Sequence, residues 1–135
     1  MDRRMVFASL AAALAGAGAA QAKLADKVVH APEPDVVEEP FGDLRIYFDG
    51  PTDQLRVMTA GSLTLKAGMS PHPPHQHPEE EFMLITDGEC DISIDGEVTH
   101  CGPGSLMYCA ANKLHGVENK SDAAMTFFFF KWAKG

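Results

Sequence analysis

Two histidines and a glutamate lie close together in a proline-rich segment of the chain. His75 and His77 are separated by a single residue, so on an extended strand both imidazole rings point to the same face. Pro74 and Pro78 disfavour a helix in this segment, and Glu81 follows soon after His77. Two neutral imidazoles and a carboxylate are good ligands for a first-row divalent metal ion. The segment therefore predicts a metal site.

The neighbours of these three residues leave some assignments open. Glu79 and Glu80 compete with Glu81 for the role of carboxylate ligand, although the spacing favours Glu81. His72 either lies beside the metal ligands or belongs to a solvated loop. Met83 shares a strand face with Glu81, so it is a candidate for the wall of a pocket beside the metal.

The histidines belong to a longer pattern that runs from Gly68 to Gly88. Six residues separate Gly68 from His75, three separate His77 from Glu81, and six separate Glu81 from Gly88. This pattern resembles the first sequence motif of the cupin superfamily, which places a glycine, a His-x-His pair, a glutamate and a second glycine in this order. The chain departs from that motif by one extra residue before His75.

A second pattern downstream resembles the other cupin motif and supplies a further histidine. It runs from Gly104 through Ala110 and Asn112 to His115 and Asn119. In the family, a proline and a glycine occupy the positions of Ala110 and Asn112. Asparagine adopts the left-handed backbone conformation more readily than most residues other than glycine, so the turn before His115 can be kept.

The resemblance implies an all-β fold, an antiparallel β-barrel or jelly roll of the cupin double-stranded β-helix type. It also implies one divalent transition metal ion (Fe, Mn, Ni, Zn or Cu) that is bound by His75, His77, Glu81 and His115. Such a set leaves two octahedral positions for water, oxygen or a substrate. We expect a metal-dependent oxygenase, lyase or isomerase that acts on a small organic substrate. Because some cupins only bind or store a ligand, a non-catalytic protein that binds a sugar, a metal or another small ligand is the alternative.

The rest of the chain reads as short strands separated by turns, which is typical of an antiparallel barrel or sandwich. The Asp-Gly pairs at 87–88 and 95–96 suit tight hairpin turns, because glycine adopts a positive φ without a Cβ clash. The Ala-Gly pair at 60–61 lies between two of the predicted strands. The predicted strands are 44–48, 55–58, 63–66, 81–86, 90–94, 98–101, 106–109, 114–118 and 125–131.

Two side-chain patterns predict particular contacts. A two-residue turn at 95–96 places Cys90 directly opposite Cys101, where the two residues either form a cross-strand disulfide or remain buried thiols. The run of phenylalanines at 127–130 has no polar alternation, so it predicts a strand that is buried on both faces. One face would fill the barrel and the other would meet a partner subunit or the N-terminal arm. We therefore expect a homodimer.

The composition fits one globular domain of 135 residues, with 45% hydrophobic and 22% charged residues. A formal net charge of −8 argues against nucleic acid as a partner, because phosphate binding requires a basic surface. A small-molecule ligand or substrate is the expected partner.

The N-terminal part is expected to divide into a leader and an arm. Residues 1–22 have a basic start at Arg3 and Arg4, a short apolar run and an Ala-Gln-Ala end, which indicates a signal peptide. Both twin-arginine and Sec export remain open, and either route predicts a periplasmic or secreted protein that is not held in a membrane after cleavage. The proline-rich residues 23–43 predict an extended arm, and residues 44–135 the barrel.

Overall fold

The computed structural model describes residues 21–135, so all but the end of the predicted signal peptide lies outside the described residues. The described part is built from β-strands, which confirms the all-β prediction. Within it, no helix is long and apolar enough to span a membrane. The strands are β1 (Val36–Glu39), β2 (Gly42–Gly50), β3 (Leu55–Leu65), β4 (Glu80–Asp87), β5 (Cys90–Ile94), β6 (Glu97–Cys101), β7 (Leu106–Cys109), β8 (His115–Glu118) and β9 (Met125–Lys134).

The strands form two antiparallel sheets that share one hydrophobic core. The larger sheet has six strands in the order β1-β2-β3-β9-β4-β7, and the smaller has three in the order β6-β5-β8. Alternate residues of β3, β4 and β9 point inward, and they pack with residues of β5 and β8 from the other sheet. The most deeply buried side chains of this core include Leu44, Leu65, Ile85, Cys90 and Met125.

The hairpin between β5 and β6 has the predicted turn. Asp95 and Gly96 both have positive φ, at 49° and 83°, as a type I′ turn requires. The resulting register pairs Cys90 with Cys101, which confirms the predicted cross-strand position. Both are free thiols in the structure: Cys90 is buried and Cys101 is partly buried.

The predicted hairpin at 87–88 is wrong. Strand β4 belongs to the six-stranded sheet and β5 to the three-stranded sheet, so this Asp-Gly pair carries the chain from one sheet to the other. Gly88 has a φ of 78°, and a Cβ atom there would lie 2.6 Å from the Cβ of Met125. The glycine is therefore needed for positive φ and for close approach to β9.

The two strands predicted at 55–58 and 63–66 are a single strand, β3. Gly61 does not interrupt this strand; it lets the backbone pass close to its neighbours. A Cβ atom at position 61 would lie 2.5 Å from the backbone oxygen of Arg45 and 2.8 Å from Cζ of Phe129. A glycine inside a strand can mark such a close approach as well as a turn.

The sheet begins earlier than position 44. Strand β1 lies within the predicted arm and pairs with β2 along the edge of the larger sheet. The segment before it also contacts its own chain, because the Leu24 amide donates to the Pro51 carbonyl at 2.9 Å and Lys23 pairs with Asp53 at 2.6 Å.

The phenylalanine run on β9 alternates after all. Phe127 and Phe129 point into the core and are 3% and 7% exposed, whereas Phe128 and Phe130 lie on the outer face and are only partly buried within this chain. Within the single chain only one face of the strand is fully buried, and the predicted cover of the other face stays a prediction. The outer face carries two groups of contacting aromatic rings, which we together call the outer aromatic face: Tyr47 with Phe128, and Phe82 with Tyr108 and Trp132.

Candidate metal centre

The loop between β3 and β4 carries His75 and His77 and is tied to the segment that leads into β8. The His75 amide donates to the His115 carbonyl at 2.9 Å, and the His115 amide donates to the His75 carbonyl at 3.0 Å. The Asn112 amide donates to the His77 carbonyl at 2.8 Å. Asn112 has a φ of 62°, so asparagine does adopt the left-handed conformation where the family motif has glycine.

These backbone contacts bring three imidazole rings together. The ring centroids of His75, His77 and His115 lie between 4.7 and 5.1 Å apart. One ring nitrogen from each residue lies within 4.8 Å of the other two. The three ring nitrogens are thus close enough together to bind one metal ion.

Glu81, on β4 of the larger sheet, contacts two of these three rings. Its side chain points into the barrel and its Oε1 atom lies 3.1 Å from Nε2 of His77 and 3.2 Å from Nε2 of His115. The Nδ1 atom of His77 contacts the Glu79 carbonyl at 3.1 Å, and Nδ1 of His115 contacts the Lys113 carbonyl at 2.9 Å. A carbonyl only accepts, so each Nδ1 must carry its hydrogen.

This hydrogen-bond pattern fits a bound cation. With the hydrogen on Nδ1, a neutral ring has only a lone pair on Nε2, so His77 and His115 both aim lone pairs at the Glu81 carboxylate. Acceptors that face each other at hydrogen-bond distance require a positive charge between them, either as protons on the rings or as a metal ion. Backbone partners on Nδ1 are also the usual way in which a metal-binding imidazole is oriented.

The electrostatics of the cluster favour a charged carboxylate. Burial raises the pKa of Glu81, but hydrogen bonds with His115 and His77 outweigh burial and bring that pKa down to about 2. The same hydrogen bond raises the pKa of His115. Burial, together with the charges of its histidine neighbours, lowers the pKa of His75 to about 3, so this ring is neutral and available as a ligand at neutral pH.

The other candidate residues lie around this cluster in different roles. The ring of His72 contacts that of His75 in a tilted arrangement, with centroids 3.7 Å apart and planes at 31°. Glu80 points to the outer face and accepts a hydrogen bond from the Tyr108 hydroxyl at 2.5 Å. Glu79 contacts His77 on the Nδ1 side, away from Glu81. Met83 is 4% exposed and belongs to the hydrophobic core.

One charged residue on the inner face was missed by the sequence analysis. Lys131 on β9 pairs in register with Glu81 on β4 and with Thr59 on β3. Its Nζ atom lies 5.6 Å from the centroid of the Phe129 ring, which points into the core. Alternation along β9 from Phe127 and Phe129 could have placed Lys131 on this face, but the uninterrupted run of phenylalanines concealed the alternation.

The sequence matches the model of one protein family. Residues 61–131 match the sequence model of the cupin domain family. A sequence search of curated proteins gives no significant match.

Three solved structures illustrate the likeness of the fold. An RmlC-like cupin from Shewanella frigidimarina aligns with a TM-score of 0.67 at 12% identity, over 82% of this chain and 94% of its own. KdgF from Halomonas sp. aligns with a TM-score of 0.66 at 18% identity, over 79% and 94%. The polyketide cyclase RemF from Streptomyces resistomycificus aligns with a TM-score of 0.66 at 20% identity, over 82% and 81%.

Proposed function

This chain belongs to the cupin domain family, and we propose that it is a metal-dependent enzyme for a small organic molecule. The metal would be one divalent transition ion, Fe, Mn, Ni, Zn or Cu, with His75, His77, Glu81 and His115 as its ligands. The observation that carries this proposal is the pair of Nε2 atoms that face one carboxylate oxygen at 3.1 and 3.2 Å.

The residues around the cluster suit this role. Glu81 is 6% exposed and His115 is 4% exposed, so bulk water is largely kept from two of the proposed ligands. His75 and His77 are less buried than these two ligands. When bound, the metal would supply Lewis acidity to a substrate oxygen, or redox chemistry if it is iron. RemF, a polyketide cyclase, has the same fold, and this supports the proposal that the chain is an enzyme.

The metal is tested by elemental analysis of protein purified without a chelator or a metal-affinity tag. We expect about one equivalent of a single metal ion in the wild type and a loss of most of it in His77→Ala and Glu81→Gln. His100→Ala is the matched control, because His100 is an exposed histidine that pairs only with surface carboxylates. Substoichiometric metal that does not change in His77→Ala would refute the metal site.

A turnover assay distinguishes an enzyme from a non-catalytic binding protein. The metal-loaded protein is incubated with catechols, thiols and small organic acids while oxygen uptake and product formation are followed. Turnover that is lost in His77→Ala supports an enzyme. Stoichiometric binding of a compound without turnover across this panel would favour the non-catalytic alternative.

Two further proposals concern assembly and location. The outer aromatic face exposes Phe82 and Tyr108, 37% and 47% accessible in the single chain, and the neighbouring Leu106 is 63% accessible. We propose that a second copy of the chain covers this face in a homodimer. We also propose export to the periplasm or the medium by residues 1–22, which is tested by fusing this segment to a reporter that folds only after export.

A further inference from the structure

We propose that Lys131 binds the carboxylate of the substrate, and that the substrate is therefore a small organic acid. This inference rests on the proposed function, because it places the acid beside the metal ligands. Its starting point is the position of one ammonium group on the inner face of the larger sheet.

A row of polar side chains crosses that inner face at the level of the metal centre. Asp49 on β2 pairs with Thr59 on β3, Thr59 pairs with Lys131 on β9, and Lys131 pairs with Glu81 on β4. Elsewhere on these strands the inward residues are mostly apolar, such as Leu63 on β3. This polar row therefore belongs to a part of the barrel interior that differs from the hydrophobic core.

The ammonium group of Lys131 forms no salt bridge in this row, although it attracts the carboxyl groups of Glu81 and Asp49 at longer range. Lys23, Lys113 and Lys120 each pair with an aspartate, whereas Lys131 forms no ion pair with any carboxylate of residues 21–135. Its Nζ atom lies over the ring of Phe129, 5.6 Å from the ring centroid. A partly buried charge is unfavourable unless it is paired, so an anion that enters the barrel would be stabilised there.

The neighbours of Lys131 favour a carboxylate over a more highly charged anion. Thr59 lies beside Lys131, and its hydroxyl donates to Oδ1 of Asp49 at 3.5 Å. Glu81 lies on the other side of Lys131. These two acids would repel a dianion such as phosphate more strongly than a carboxylate with a single charge. A carboxylate on Lys131 would leave another oxygen of the same molecule free to approach the histidines.

A competing explanation is structural. The ammonium group could serve only to offset the charges of Glu81 and Asp49, with the Phe129 ring supplying additional attraction. Both explanations predict that loss of the charge alters the protein. They differ in whether Lys131 distinguishes an acid from its neutral analogue.

The test compares lactate with lactamide, which has the same shape but no charge. Zinc is loaded into the wild type, Lys131→Gln and Lys131→Arg, and its content is measured before each ligand is titrated by calorimetry. Lys134→Gln is the matched control, because Lys134 is an exposed lysine on the same strand. Thermal unfolding of each variant establishes that it is folded.

We expect the wild type, Lys131→Arg and Lys134→Gln to prefer lactate over lactamide. That preference should fall about tenfold in Lys131→Gln, as loss of one charge-assisted contact predicts. If every protein holds zinc but the preference is the same in Lys131→Gln as in the wild type, or is absent from the wild type, the role of Lys131 is refuted and the metal site stands. If the wild type holds no zinc, the proposed function fails first, and the inference fails with it.

Discussion

His75 and His115 hydrogen-bond to each other through both of their backbone amides, at 2.9 and 3.0 Å. The pair forms an isolated β-bridge between the loop that carries the His-x-His pair and the first residue of β8. Two of the three clustered rings are thus positioned by the backbone itself, before any ion is bound.

This bridge predicts an ordered site in the metal-free protein. In hydrogen exchange after treatment with a chelator, we expect the amides of His75, His115 and Asn112 to exchange slowly, because each donates to a backbone carbonyl. The amide of Gln76 is the control, since it donates to no backbone carbonyl of residues 21–135. If all four amides exchange equally fast without metal, the site is formed by the ion and not by the fold.

Asn119 should be important for stability although it touches no proposed ligand. Its side chain is fully buried, its two amide N–H groups are shared among the carbonyls of Leu65, Lys66 and Ala123, and its oxygen accepts from Ser121. We expect Asn119→Ala to lower the free energy of unfolding by about 3 kcal/mol, because buried carbonyls lose their donors. Urea denaturation measures this change. An effect as small as that of an ordinary surface substitution would contradict the role of this hydrogen-bond cluster.

Gly61 should not tolerate a side chain. We expect Gly61→Ala to lower the free energy of unfolding by about 2 kcal/mol, since the new Cβ would clash with Arg45 and Phe129. Gly102→Ala is the matched control, because a Cβ at position 102 would meet no atom within 4 Å. Equal unfolding midpoints for the two variants would show that β3 can shift to make room.

The pKa of His100 should lie above the ordinary value for a histidine. Hydrogen bonds to Glu89 and then to Asp91 raise the pKa of His100, and all three groups lie on the surface. Because the folded pKa is the higher one, the stabilisation is complete below the pKa of the unfolded chain and is lost as the pH rises through the folded pKa. An NMR titration should show that Glu89→Gln lowers the pKa of His100 and that Glu97→Gln does not. No difference between these variants would contradict the ion pair.

The outer aromatic face should control assembly. If a second copy covers it, light scattering should give a dimer for the wild type and a monomer for Phe82→Glu, because a charge cannot be buried there without a partner. Val98→Glu is the control, since Val98 is 60% exposed on the smaller sheet, away from this face. A wild type that stays monomeric at high concentration would refute the dimer.

The two Asp-Gly pairs show what the sequence could and could not predict. At 95–96 the pair joins strands that are neighbours in one sheet, so the turn and the register from Cys90 to Cys101 follow from local geometry. At 87–88 the same dipeptide crosses between sheets. Positive φ at the glycine occurs in both places, but at 95–96 the aspartate has a positive φ as well, whereas at 87–88 the glycine packs closely against Met125.

Part of the candidate site could likewise be predicted from the sequence, and part could not. The positions of His75 and His77 follow from their spacing on an extended segment, and Asn112 has the backbone conformation that its place in the motif requires. Lys131 could not be found from the motifs, because it lies on a strand outside them. Alternation along β9 could place Lys131 on the inner face, but its position beside Glu81 and Thr59 follows only from the pairing of β9 with β4 and β3.

Because the chain crosses from one sheet to the other at Gly88, the proposed metal ligands come from both sheets. Glu81 belongs to the six-stranded sheet and His115 to the three-stranded sheet, and the two residues are 34 positions apart along the chain. An ion shared by them would cross-link the halves of the barrel, and its binding free energy would add to the free energy of folding. The melting temperature would then rise with free metal concentration and report the occupancy of the site without any substrate.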